Sequence, residues 1–154
     1  MPDFLFTSGK ANRFNREGTE CLYLAEDEQT ALAEYRRQFM GLAHGARQPV
    51  TLFYAEVKLN GILDLTQAVT RRMLGVSAGD LEADWSRKGP VTVTQALGEA
   101  VARTACCSAI RYRSVAAARG NQPGHNWVIF KACLRSTEIV RILGPTRRLL
   151  QQWP

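Results

Sequence analysis

Short apolar runs set at unequal intervals constrain this chain more than any other feature. Cys21, Leu22, Tyr23 and Leu24 form one run, Ala109 to Tyr112 another, Trp127, Val128, Ile129 and Phe130 a third, and Ile139–Leu143 a fourth. Runs this short, two of them interrupted by Arg111 and Arg141, have strand length and fall well below the roughly 10–12 residues of a core helix. Residues 51–59 alternate, with Ala55, Val57 and Leu59 separated by Glu56 and Lys58. Asn60-Gly61 then reads as a turn and residues 62–65 as the strand paired across it in a hairpin. Phe4, Leu5 and Phe6 read as a further strand that enters a polar loop over residues 7–19.

Two segments carry a convincing helical period. Residues 30–40 place Leu32, Tyr35 and Phe39 on one face, with Glu34 beside it, and Glu26, Asp27 and Glu28 put negative charge where a helix dipole favours it. Residues 91–104 place Val93, Ala96, Leu97, Ala100 and Val101 on one side. Gly41, Gly45 and Pro49 break the chain, and Thr66 reads as the cap of a short helix. Residues 75–90 read as loop anchored by Trp85, and residues 120–125 as a Gly, Asn, Pro and His loop. Several strands, two helices and long, uneven connections predict an α+β fold rather than a repeating βαβ one.

With 154 residues, 45% of them hydrophobic and 22% charged, the chain reads as a single globular domain. A chain of this size buries roughly 68–70% of its unfolded surface and folds without a staple. There is no secretory leader pattern and no apolar run near the ~20 residues needed to cross a bilayer, so the expected location is cytoplasmic, with no membrane partner. Cys21, Cys106, Cys107 and Cys133 form no Cys-x-x-Cys, and His44 and His125 have no ligand spacing, so neither a metal nor a disulfide framework is expected. The net charge of +6 favours anionic partners. The basic residues are dispersed and not interleaved with aromatics, which argues against direct nucleic-acid binding. Phosphate-loop, dinucleotide, zinc-protease and serine-hydrolase motifs are all absent.

Residues 13–35 hold the chemistry. Arg13 sits in a Gly-containing loop, Tyr23 on a strand and Glu34 in a helix. Together they suit an anionic ligand that carries an aromatic ring and a bond that breaks through a positive transition state. Taken singly, each has a plainer reading: Arg13 as a surface charge, Tyr23 as core, Glu34 as a solvated helix residue, Ser114 as a turn residue.

Four ordered motifs change that weighting: Asn12-Arg13-Phe14-Asn15 with Gly18; Leu22-Tyr23-Leu24-Ala25 followed by Thr30-Ala31 and Glu34; Val57 through Leu63-Asp64-Leu65-Thr66; and Ala109-Ile110-Arg111-Tyr112-Arg113-Ser114 followed by Asn126-Trp127-Val128-Ile129-Phe130. In this order they resemble the RES domain family, named for an Arg, a Glu and a Ser. The resemblance implies one catalytic domain over residues 1–154, with a mixed β core and flanking helices similar to ADP-ribosyltransferase toxins. It implies an enzyme that takes NAD as substrate and passes ADP-ribose to phosphate or water, or to a protein acceptor. It also implies a toxin held in check by an Xre-type helix-turn-helix antitoxin.

By the same resemblance Arg13, Tyr23, Glu34 and Ser114 match the functional positions; Asn15 and Asn126 are further candidate substrate contacts, with a turn role as the plainer reading of Asn126. Arg13 would pair with pyrophosphate, Tyr23 would stack on nicotinamide or ribose, Glu34 would stabilise ribose charge, and Ser114 would bind the ligand or fix its loop. Arg111 and Arg113 add positive potential or face solvent. The chain departs from the family at Asn12, where Gly is usual, and at Arg113, where Pro is frequent. Many members also carry an additional N-terminal strand bearing another Arg, whereas only twelve residues precede Arg13 here. The reading from a different class is a non-catalytic basic module that binds nucleic acid or a partner protein.

Overall fold

The alternating side-chain directions of the strands decide how this chain layers. The computed structural model describes residues 6, 9–39, 49–87 and 89–154. Its strands are β1 (Cys21–Ala25), β2 (Tyr54–Lys58), β3 (Ile62–Asp64), β4 (Ala109–Arg113), β5 (His125–Phe130), β6 (Ile139–Leu143) and β7 (Leu149–Trp153). Its α-helices are α1 (Glu28–Phe39), α2 (Ala68–Leu74), α3 (Ala78–Glu82), α4 (Val93–Thr104) and α5 (Val115–Arg119). One sheet has the order β1-β5-β4-β3, and a second has the order β2-β6-β7. Only the β3–β4 pairing is parallel among the described strands.

Period-2 alternation splits the residues of the first sheet between two cores. Cys21, Ile110, Tyr112, Val128 and Phe130 join Phe14, Leu65, Leu81 and Val101 in one cluster, with Tyr23 packed against it. Leu22, Ala109 and Ile129 face the other way and meet Val140 and Ile142 of the second sheet. The first sheet is therefore covered on one face by helices and the Arg13 loop, and on the other by a sheet. This is the α+β class predicted from the uneven strand spacing.

The expected hairpin across Asn60-Gly61 does not form. β2 pairs with β6, while β3 runs parallel to β4. The turn amides are taken by a distant carboxylate instead: Glu138 Oε1 accepts from Asn60 N at 2.8 Å and from Gly61 N at 3.3 Å. A Cβ at position 61 would lie 3.2 Å from the Cys107 Cα, so glycine here permits close backbone approach. The corner carries the chain from one sheet to the other.

Three further expectations shift. Thr66 does not cap α2; its hydroxyl donates to Asp64 Oδ1 at 2.6 Å, and Gln67 precedes the helix without a side-chain cap. Residues 75–90 contain α3, started by a capping box between Ser77 and Asp80, with Trp85 half-buried beyond it. In α4 the buried residues are Thr94, Gln95, Gly98 and Val101, while Val93 is exposed. The helix is rotated from the expected face because it seats a loop rather than only a greasy core. α5 and β7 were not expected from the sequence. The strand expected over residues 4–6, the end of the first helix at Met40, the breaks at Gly41 and Gly45 and the Phe39 side chain lie outside the described residues; Phe6 itself is buried edge-on against Trp153.

Candidate functional site

The Arg13 loop is a small, self-bonded unit. Asn12 and Asn15 form an isolated β-bridge, and Gly18, at φ 93°, donates its N–H to Gly9 O at 2.8 Å. Asn15 Nδ2 donates to the Lys10, Arg16 and Thr19 carbonyls. Tyr23 fastens this unit to β1: its hydroxyl accepts from Phe14 N at 3.0 Å and donates to Asn15 Oδ1 at 2.8 Å. Burial drives the Tyr23 phenol well above its ordinary pKa, so it stays a neutral hydrogen-bonding staple.

Helix α4 forms the seat. Gln95 Nε2 donates to Asn12 O at 3.1 Å, and a Cβ at Gly98 would fall 1.7 Å from Phe14 O. No side chain fits between this helix and the loop. The Phe14 ring packs on Tyr112 at 4.7 Å. So held, Arg13 is 5% exposed and points its Nη1 at the C-terminal end of α3, donating to Leu81 O and to Ala83 O at 3.0 Å. Burial lowers its pKa and nearby Arg37 adds to that, while Tyr112, Glu34 and Tyr23 pull it back up.

A second group gathers around Glu34 on α1. Its Oε1 accepts from Ser114 Oγ at 2.7 Å and from Asn126 Nδ2 at 2.6 Å. Ser114 ends β4 and begins α5, where its Oγ also accepts from Ala117 N at 3.0 Å. Asn126 lies on β5, opposite Tyr112, and its Oδ1 is buried with no hydrogen-bond partner among the described residues. Gly124 lets α1 and α5 close over this point: a Cβ there would meet Thr30 Oγ1 at 2.5 Å and Ala117 Cβ at 2.6 Å.

Of the residues picked from sequence, Glu34, Ser114 and Asn126 are thus in direct contact, and Arg13, Asn15 and Tyr23 share the loop unit beside them. The polar atoms of Asn15 all serve the loop. The Arg13 charge feels the Glu34 carboxylate, so the two groups share one electrostatic environment. A cavity of about 210 Å³ meets this cluster at Ser114, while Glu34, Asn126 and Arg13 are not in its wall; the wall also includes Leu81, Thr66, Arg71, Arg113 and His125.

Sequence reading missed a charge network on the opposite strand face. Arg111 makes a two-pronged contact with Glu26, at 2.7 and 3.1 Å, and reaches Asp64 at 3.3 Å. His125 Nδ1 and Trp127 Nε1 also bond Glu26, at 2.9 and 3.1 Å. The Arg111 guanidinium holds the Glu26 carboxyl below its usual range. Arg111 is therefore neutralised where it sits and is not a free source of positive potential. The available signal was alternation: Arg111 must face away from its buried neighbour Tyr112. No group of three or more His, Cys, Asp or Glu side chains is placed to hold a metal ion among the described residues.

No curated protein and no solved structure matched the chain. No helix among the described residues is long and apolar enough to cross a membrane. A family model, the RES domain, matches residues 3–151 and so takes in both the Arg13 loop and the Glu34, Ser114 and Asn126 cluster. That family is generally associated with NAD-related function in toxin–antitoxin systems. The chain belongs to the RES domain family.

Proposed function

We propose that the chain is a toxin that cleaves the nicotinamide–ribose bond of NAD and passes ADP-ribose to phosphate or water. The observation that carries this reading is the anchoring of Glu34 Oε1 by two donors, Ser114 and Asn126. Both donors hold one oxygen, which fixes the carboxylate and leaves its Oε2 without a partner among the described residues. When the C1′–N bond breaks, its electron pair leaves with neutral nicotinamide and positive charge develops on the ribose, as in glycoside cleavage. A fixed carboxylate stabilises that charge and can bind the ribose hydroxyls without reorganising. A phosphate or water oxygen then forms the new bond to C1′, water giving up its proton.

Arg13 contributes positive charge that favours the pyrophosphate and holds the end of α3 that forms a cavity wall. Tyr23 and Asn15 support this by fixing the Arg13 loop. An Xre-type helix-turn-helix antitoxin is the expected inhibitor in the cell.

The test is nicotinamide release from NAD by the purified chain, with and without phosphate. Release by the wild type and its loss in Glu34→Gln are expected. Equal release by the two proteins, or none by the wild type, sinks the reading. Labelled ADP-ribose on a protein band would instead assign the same cleft to a protein ADP-ribosyltransferase. Salt-sensitive binding of DNA or RNA that survives Glu34→Gln, with no nicotinamide release, would favour a basic binding module.

A further inference from the structure

We propose that the cavity beside Ser114 is a phosphate-group subsite in which Arg71 and Arg113 hold the anion. The identity of that anion as part of NAD or its acceptor rests on the NAD-cleaving reading; the anion site itself does not. Arg71 is half-buried and its Nη1 donates to Leu65 O at 2.7 Å and Thr66 O at 3.0 Å. These bonds aim the guanidinium and leave Nε and Nη2 unpartnered among the described residues. Arg113, exposed at the end of β4, lines the same cavity.

Neither arginine is in an ion pair among the described residues, whereas Arg111 on the same strand is tied to Glu26 and Asp64. The one carboxylate on the wall is Glu82, which is exposed. Two cations therefore face one acid, with the Ser114 side chain between them and Glu34. A planar guanidinium pre-aimed by the backbone suits the paired oxygens of a phosphate group. The volume of about 210 Å³ falls below the roughly 300–1,000 Å³ that encloses a drug-sized ligand, so it fits a phosphate-bearing part and not a whole dinucleotide. Arg13 serves this subsite indirectly, by holding the Leu81 and Ala83 carbonyls that flank Glu82.

The experiment is calorimetric titration of the full chain with ADP and, separately, with inorganic phosphate. The proteins compared are the wild type, Arg71→Gln, Arg113→Gln and, as a control on an exposed arginine away from the cavity, Arg148→Gln. Binding is expected in the wild type and in Arg148→Gln, with affinity reduced about tenfold or more in the two cavity variants. Loss for ADP alone assigns the subsite to the pyrophosphate of the dinucleotide; loss for inorganic phosphate alone assigns it to the acceptor. Wild-type affinity in both cavity variants, an equal loss in Arg148→Gln, or no binding of either probe by the wild type overturns the proposal. Arg113 is exposed, so its variant remains informative if Arg71→Gln fails to fold. The readout needs no turnover, so an anion site can stand even where nicotinamide release fails.

Discussion

Ser114 Oγ lies 2.7 Å from Glu34 Oε1 while accepting the Ala117 amide at 3.0 Å, so one hydroxyl both starts a helix and orients a carboxylate. Ser114→Ala removes both bonds. The expected stability loss is about 1–2 kcal/mol, measured by urea unfolding. Nicotinamide release should fall as well, through kcat more than KM, because the Glu34 carboxyl stays in the site but loses one of the two bonds that orient it. Glu34→Gln should reduce kcat on the order of 10²–10⁴ with a much smaller effect on unfolding.

Two glycines make opposite predictions. Gly98→Ala places a Cβ against the Phe14 carbonyl and must push α4 and the Arg13 loop apart. A loss of about 1–3 kcal/mol is expected, with activity lost even where the protein remains folded. Gly79→Ala meets only Ser77 Oγ at 3.6 Å, within α3. It should stabilise the protein by up to about 1 kcal/mol and leave activity unchanged. Thermal melting beside the nicotinamide assay separates the two.

Tyr23→Phe keeps the ring and deletes the staple. Phe14 N and Asn15 Oδ1 each lose their bond to the hydroxyl. A loss of about 1–3 kcal/mol is expected. If the loop works by presenting Arg13, a crystal structure of the variant should show the Arg13 guanidinium displaced from the Leu81 and Ala83 carbonyls.

The acid limb of stability should depend on Glu138. Burial acts to raise its carboxyl pKa, but bonds from Ser108 Oγ and the Arg135, Asn60 and Gly61 amides outweigh this and hold it below the ordinary value. A group depressed in the folded state contributes stability above its unfolded pKa, and that contribution disappears as pH falls through the folded value. Glu138→Gln should therefore be clearly less stable than wild type near about pH 7, and the gap should narrow towards about pH 3. Urea midpoints measured across that range would refute this if the gap were constant.

Much of this was legible because local pattern and tertiary environment agree. The runs at β1 and β5 place apolar residues on both faces because both faces are covered, and such strands announce themselves. Arg13, Tyr23, Glu34 and Ser114 stood out only as an ordered set; no single one of them differs from an ordinary surface or core residue. The Asn60-Gly61 corner misled because hairpin chemistry is local, while the carboxylate that claims its amides lies 78 and 77 residues away. Helix α3 carried a readable signal in its Ser77 and Asp80 capping box, yet its five residues give too little period to detect. The Arg111 network was hidden for a different reason, since its partners Glu26, Asp64 and His125 come from three separate strand ends.

The donors that fix Glu34 arrive 80 and 92 residues after it along the chain. β1, which carries Tyr23, pairs with β5 and with no other described strand, and β5 also carries Asn126. Synthesis runs from the N-terminus, so the carboxylate leaves the ribosome long before anything that can orient it. A nascent chain halted short of Ser114 carries Glu34 but neither of the two donors that anchor it. On the NAD-cleaving reading proposed above, the long sequence separation leaves the growing polypeptide without its fully oriented acid until Ser114 and Asn126 have both emerged.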